Sequence, residues 1–180
     1  MAALISSFVG RSFSSNSSVI RCTDKGSPAA KAKLKSKDRL LIGFATSGHV
    51  GIDLEPAGRR ARNPLGVAHR YFSAAESGAL AVMDQAVLDQ AFMRAWACKE
   101  AVVKASGEGI ANQLCRFTVE IDPDLPPAIL DFENEDAGQW SLALLQPEPG
   151  FQGAVAMNHE DMRVTAYRLL PAGLQIPDPW

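Results

Sequence analysis

The sequence predicts an α+β fold, a mainly antiparallel sheet packed on a long helix, and three observations carry that expectation. Short apolar segments with strand character run from Leu40 to Glu55. A helical stretch with cap signals at both ends follows, from Ser73 to Gly107. Four further strand-like segments come after it, separated by Pro, Gly, Asn and Asp. Strands, then helices, then a run of strands is the order of an α+β domain.

Each element has its own signal. Residues 1–37 are rich in Ser, Ala, Lys and Gly, with little apolar periodicity beyond "VIRC", and "KGSPAAKAKLKSK" reads as a solvated basic connector. "LLIGFA" is an apolar run suited to a buried strand, and "HVGIDLE" is a second strand after a turn at Ser47-Gly48. "PAGRRARNPLG" is expected to be a loop, marked by Pro56, Gly58, Pro64 and Gly66. Ser73 and Glu76 form a capping box, Ser at the N-cap and Glu three residues on, so a short helix is expected to about Val82. A longer helix starts between Asp84 and Asp89 and stops at Gly107, where a glycine can take positive φ. Its buried stripe is Phe92, Trp96, Val103 and neighbouring alanines. "FTVEI", "WSLALL", "GAVAM" and "RVTAYRLL" are the later strands. The main domain is therefore expected over 38–170, after an N-terminal arm at 1–37 that is partly disordered and before a tail at 171–180 ending "PDPW". No internal repeat is visible.

Composition removes several classes of function. The chain has 180 residues, 47% hydrophobic and 21% charged, within the ordinary range of a globular protein that can bury a core. A formal net charge of −2 gives no global attraction to nucleic acid or to an anionic membrane, so neither is expected as a partner. No apolar run approaches the roughly 20 residues that span a bilayer. Cys22, Cys98 and Cys115 are scattered and form no C-x-x-C, which fits a reducing, cytoplasmic setting rather than a disulfide framework or a zinc site. The first 21 residues lack acids and carry Arg11 and Arg21, as transit peptides do, but an ordinary disordered N-terminus is the expectation.

The charges inside "WACKEAVVKASGEGI" are out of keeping with the core-like residues around them. Trp96, Glu100 and Lys104 share one helix face at i, i+4 and i+8, with Lys99 and Val103 beside it. Taken alone, Glu100 and Lys104 are a solvated pair on the rim of a core face. In "GIDLE", Asp53 and Glu55 alternate with Ile52 and Leu54, so both carboxylates point to one side of a strand. Two readings stand: an exposed polar face of an edge strand, or carboxylates whose mutual repulsion is offset by a cation. Mg²⁺ is usually held by one or two carboxylates together with substrate phosphates. With Glu100 as a third carboxylate and Lys99 and Lys104 as cations for phosphate oxygens, the set has the minimum equipment for phosphoryl transfer.

"VGIDLEP", then "RYFSAAE", then "WACKEAVVKASGEGI", in this order and spacing, resembles the 4′-phosphopantetheinyl transferase superfamily. Glu55, two residues after Asp53, is similar to the larger surfactin-synthetase-activating type. The match runs from about Leu40 to about Asp122, with compatible strands to about Leu170. The resemblance implies Mg²⁺-dependent transfer of phosphopantetheine from coenzyme A to a serine of an apo acyl or peptidyl carrier protein. Carried over by position, Asp53, Glu55 and Glu100 are the expected metal ligands. Glu100 and Lys104 are the expected catalytic residues, and Lys99 and Lys104 the expected phosphate contacts. Glu76 is either the capping-box acid alone or an acid near the site. Trp96 and Cys98 are expected to pack. Arg59, Arg60 and Arg62 form a solvated loop or a dock for an acidic carrier helix. His49, His69 and His159 have no ligand spacing.

The sequence also departs from the pattern. Only about 50 residues precede "GIDLE", where the larger type has about twice that, so the arm at 1–37 would be a remnant of the first half. The family places "SHS" before that strand. Here Ser36 stands between Lys35 and Lys37, and upstream "FSSNSSV" has Asn16 in place of the histidine. An inactive relative or fragment that binds coenzyme A or a carrier protein is therefore the alternative expectation, with another magnesium-dependent phosphoryl-transfer enzyme behind it. Self-association through a surface left uncovered by the short first half is expected as well.

Overall fold

The computed structural model describes residues 17–23, 30–36, 39–45, 48–107, 114–147, 149–170 and 173–175. Ten strands and three α-helices are present among them. The strands are β1 (Ser17–Thr23), β2 (Ala30–Ser36), β3 (Arg39–Ala45), β4 (Val50–Pro56), β5 (Phe117–Val119), β6 (Ile129–Phe132), β7 (Ser141–Leu145), β8 (Phe151–Met157), β9 (Arg163–Leu170) and β10 (Gly173–Gln175). The helices are α1 (Pro64–Tyr71), α2 (Ala74–Ala81) and α3 (Gln85–Ser106). The strands form a five-stranded sheet in the order β10-β9-β1-β3-β2, a three-stranded sheet β4-β8-β7, and a β5-β6 pair. Every pairing is antiparallel except β1 with β3. The α+β, mainly antiparallel expectation holds.

The long helix α3 lies across β4 and β8. From Ala91 onward it is buried almost all round: Ala91, Phe92, Ala95, Cys98, Ala101, Val102, Val103 and Ala105 are buried, and so are the charged Arg94, Lys99 and Glu100. Such a helix needs cover on every side. One core surrounds it, with Phe72, Phe92 and Trp96 stacked near its middle and Phe117, Phe132 and Trp140 tilted against each other under β5 and β6. A second core lies on the far side of β4, from Leu41, Ile52, Leu54, Leu145, Val155 and Met157. Gly107 ends the helix at φ 75°, as its position predicts. The capping box at α2 is complete: the Ser73 hydroxyl accepts from the Glu76 amide, and the Glu76 carboxylate accepts from the Ser73 amide.

Four expectations need correction. The loop after β4 ends at Asn63 rather than running to Gly66, because Asn63 caps a helix, α1, and Pro64 occupies its first turn, where no amide is needed. The stretch read as a connector holds a strand, β2, whose partner β3 supplies the hydrogen bonds that composition could not reveal. The N-terminal arm thus places β1 and β2 on either side of β3 in one sheet, and the boundary near residue 38 is no break in that sheet. The C-terminal tail contributes β10, paired with β9. "PDPW", residues 1–16 and Ser47 of the predicted turn lie outside the described residues. Among the described residues no helix is long and apolar enough to cross a membrane.

Candidate active site

The site forms where β4 meets α3. Alternation along β4 sends Val50, Ile52 and Leu54 into the second core and Gly51, Asp53 and Glu55 toward the helix. Opposite them on β8 stand Ala156, Ala154 and Gln152, small enough at the first two positions for α3 to come close. Gly51 sets the approach: a Cβ there would lie 2.0 Å from the Ala101 carbonyl oxygen and 2.4 Å from the Ala105 amide. Only a hydrogen fits. β4 is an edge strand, as one reading had it, yet its polar face is covered, and Asp53 and Glu55 are buried.

Across that contact, Lys104 Nζ donates to Asp53 Oδ1 at 2.6 Å and stands 3.4 Å from Glu100 Oε2. Sharing one ammonium places the two carboxylate oxygens within about 6 Å of each other. Burial pushes the Glu100 carboxyl toward its protonated form, and the charges of Asp53 and Glu55 push the same way, while Lys104 opposes them. Asp53 Oδ2 is buried with no partner among the described residues. Glu55 points to the same side of β4 but is held by Arg59, whose Nη1 lies 2.6 Å from Oε1 and 2.5 Å from Oε2. Arg59 also borders an open cleft of about 480 Å³, lined by Arg60, Gln85, Asp89, Gln90 and Gln152 among others.

The structure thus joins Asp53, Glu100 and Lys104 directly and sets Glu55 alongside on its own counter-ion. Among the described residues no three His, Cys, Asp or Glu side chains stand together as a ready ligand set for a metal. The chemistry of the donors nonetheless suits a hard cation: all are carboxylate oxygens, largely stripped of water, and one buried oxygen is unsatisfied.

Lys99 is not brought to this cluster. It is fully buried, with Nζ donating to Glu76 Oε1 at 2.8 Å and to the Phe117 carbonyl at 2.6 Å, and lying 4.1 Å from the Phe117 ring centroid. The expected phosphate contact by Lys99 has no support in this geometry. One residue of helix rotation separates it from Glu100, enough to send the two into different surroundings. Burial lowers the Lys99 pKa, while Glu76 works against that shift. Glu76 accepts from Lys99, from the Val119 amide at 2.7 Å and from the Ser73 amide at 2.8 Å, so its place is in the core. Trp96 packs on Phe92 and Phe72. Cys98 is buried, which pushes its thiol up to about 12 and leaves it unreactive at neutral pH. Arg60 pairs with Asp89 at 3.4 Å and Arg62 is exposed. His49 and His69 are exposed.

Two residues important to the geometry escape a reading by residue type. Gly51 shows no chemistry in the sequence, although a glycine inside a strand marks a close backbone approach. By residue type Arg59 belongs to a basic loop, solvated or docking an acidic carrier helix, while its spacing of four from Glu55, across a turn, allows the pair.

Comparison with known proteins agrees with the motifs. A sequence profile of the 4′-phosphopantetheinyl transferase superfamily matches residues 49–160. The chain is 33% identical over 122 residues to the 4′-phosphopantetheinyl transferase HetI of Nostoc sp., covering 68% of this chain and 48% of that protein. It is 26% identical over 140 residues to the transferase ffp of Bacillus subtilis, covering 72% and 61%. A likeness to the solved holo-[acyl-carrier-protein] synthase of Thermotoga maritima has a TM-score of 0.45 at 19% identity, over 63% of this chain and 64% of that one. The chain spans about half the length of the curated relatives it matches. Because the profile spans more than half of the sequence and takes in both β4 and α3, the chain belongs to the 4′-phosphopantetheinyl transferase superfamily.

Proposed function

We propose that the protein transfers the 4′-phosphopantetheine group of coenzyme A to a serine hydroxyl of an apo acyl or peptidyl carrier protein, in the manner of the surfactin-synthetase-activating type. The observation that supports it most is the shared lysine: Asp53 and Glu100, from separate motifs of one family, meet on Lys104 where β4 packs on α3. Asp53, Glu55 and Glu100 would hold Mg²⁺, which when bound supplies neutralising charge at the pyrophosphate.

The other roles belong to the chain itself. Glu100, whose surroundings favour taking a proton, would accept the serine hydroxyl proton as the serine oxygen bonds to the phosphorus carrying the pantetheine arm. The bond from that phosphorus to the bridging oxygen breaks, and 3′,5′-adenosine diphosphate leaves with its electrons. Lys104, about one-third exposed, can turn its ammonium from Asp53 to the phosphate oxygens as charge shifts onto them. The loop carrying Arg59, Arg60 and Arg62 beside the cleft would receive an acidic carrier surface.

The test is incubation of the full chain with coenzyme A, Mg²⁺ and several apo carrier proteins, read by mass spectrometry. Addition of one phosphopantetheine to a serine is expected. Coenzyme A or carrier binding with no addition to any carrier would favour the binding-only relative.

A further inference from the structure

α3 carries a second charged constellation, and nothing in the transfer chemistry uses it. Lys99 is buried, yet every direction its ammonium can donate is occupied: Glu76 Oε1 at 2.8 Å, the Phe117 carbonyl at 2.6 Å, and the Phe117 ring face at 4.1 Å from its centroid. Phe72 lies 5.4 Å away on another side. Glu76 is equally committed, to Lys99, to the Val119 amide and to the Ser73 amide that opens α2. The Thr118 hydroxyl donates to Ser73 Oγ at 3.0 Å and closes the ring of contacts. Three elements therefore meet on one ion pair: the start of α2, strand β5 and the middle of α3.

Stability does not require charge here, since well-packed neutral residues of similar size commonly serve as well as a buried pair. What charge adds is direction. Apart from Arg94, which donates to the Pro123 and Leu125 carbonyls more than a turn before Lys99, the rest of the buried part of α3 is bounded mostly by alanines, valines and aromatics. Apolar contacts of that kind are non-directional and resist a small roll of the helix only weakly. Hydrogen bonds of fixed length to partners on two other elements resist it strongly. Lys99 and Glu100 are adjacent, about 100° apart around the helix axis, so a roll that moves one moves the other. At an outer radius of about 5–6 Å, a roll of about 10° carries a carboxylate by about 1 Å. A displacement of that size in an active site can cost about 100-fold in rate.

We propose that Lys99 and Glu76 are positioning residues: their buried ion pair fixes the rotation of α3 so that Glu100 and Lys104 face Asp53. The kinetic half of this inference rests on the transferase reading, and the geometric half does not.

The experiment uses the full chain with the double substitution Lys99→Met and Glu76→Gln, which removes both charges and keeps both volumes. Its melting temperature should stay close to that of the wild type. In crystal structures of the two proteins grown alike, the Lys104–Asp53 contact should be broken or Glu100 displaced by about 1 Å in the double variant. With coenzyme A and an apo carrier, kcat should fall by at least about 10-fold while KM for coenzyme A changes less than about twofold. Glu76→Gln alone leaves Lys99 an acceptor in the same place and should keep both the contact and most of kcat. Glu76→Asp keeps the charge but withdraws it by one methylene and should lose both, so these two variants decide the matter if the double variant does not fold. An unmoved site with full kcat in the double variant, or equal behaviour of the Gln and Asp variants, overturns the proposal. A rise in KM with kcat unchanged overturns it as well, because Lys99 would then act on the substrate. If the wild type transfers nothing to any carrier, the transferase reading falls, and the crystal structures still decide whether the pair sets the helix.

Discussion

Lys99 and Lys104 stand a little over one turn apart on α3 and live in opposite surroundings. Lys99 is sealed in the aromatic core with Glu76, its charge spent entirely within the protein. Lys104 is about one-third exposed at the margin of β4 and shares its charge between two carboxylates. Only the second is placed to exchange a protein partner for a ligand. The difference shows that a lysine in a motif earns a chemical role through solvent access and partner geometry rather than through its presence. It also separates two kinds of defect: loss at the Lys104 end should spoil reactivity in a folded protein, and loss at the Lys99 end should spoil the fold or its alignment.

The sharpest contrast comes from the carboxylates. Asp53→Ala should lower transfer by at least about 1,000-fold. The same substitution should leave the melting temperature unchanged or slightly raised, because it removes one of several like charges buried together. Retained transfer at saturating Mg²⁺ would erase the reactive end of the comparison. Next, Lys99→Met alone leaves Glu76 charged and unpaired in the core and should cost about 3–5 kcal/mol, read by urea unfolding. A loss below about 1 kcal/mol would mean that Glu76 finds another partner and that the two ends differ less than their burial suggests. Lys104→Ala removes the counter-ion shared by buried Asp53 and Glu100 and should lower stability in urea unfolding, by less than Lys99→Met because Lys104 is about one-third exposed. Steady-state kinetics should show kcat lowered by about 100-fold with little change in KM.

A smaller effect comes from pH. The Glu100 carboxyl is raised above its ordinary 4.5, so between that value and its folded pKa the native state holds a proton that the unfolded chain releases. Stability contributed by the protonated form is therefore lost as pH rises through that window. Unfolding free energies followed upward from pH 4.5 should fall more steeply for wild type than for Glu100→Gln. Identical slopes would place the titration elsewhere. Arg59→Ala should move stability least, by about 0.2–1 kcal/mol, because its guanidinium is half exposed.

Much of this could be read before folding. The capping box at Ser73 and Glu76, the stop at Gly107 and the alternation of Asp53 and Glu55 with Ile52 and Leu54 all depend on neighbours in the chain. Local geometry reaches that far. Helix α1 was legible too, had Asn63-Pro64 been read as cap and first turn rather than as a loop mark. Strands β1 and β2 were not, because a polar or basic strand becomes a strand only when a partner supplies its hydrogen bonds.

The sequence by itself determined which side chains could serve a phosphoryl transfer and on which elements they ride. Tertiary structure alone decided which of them meet. Gly51 has no side chain, and its effect exists only where the Ala101 backbone passes over it. Glu76 reads as a cap acid until Lys99 and the Val119 amide arrive from distant segments to use its other oxygen. Lys99 and Lys104 look alike in the motif, and packing sends one to the core and the other to the site margin. Spacing along a helix fixes the angle between two side chains but not the direction in which the helix is turned, and that direction is set by contacts between residues far apart in the chain.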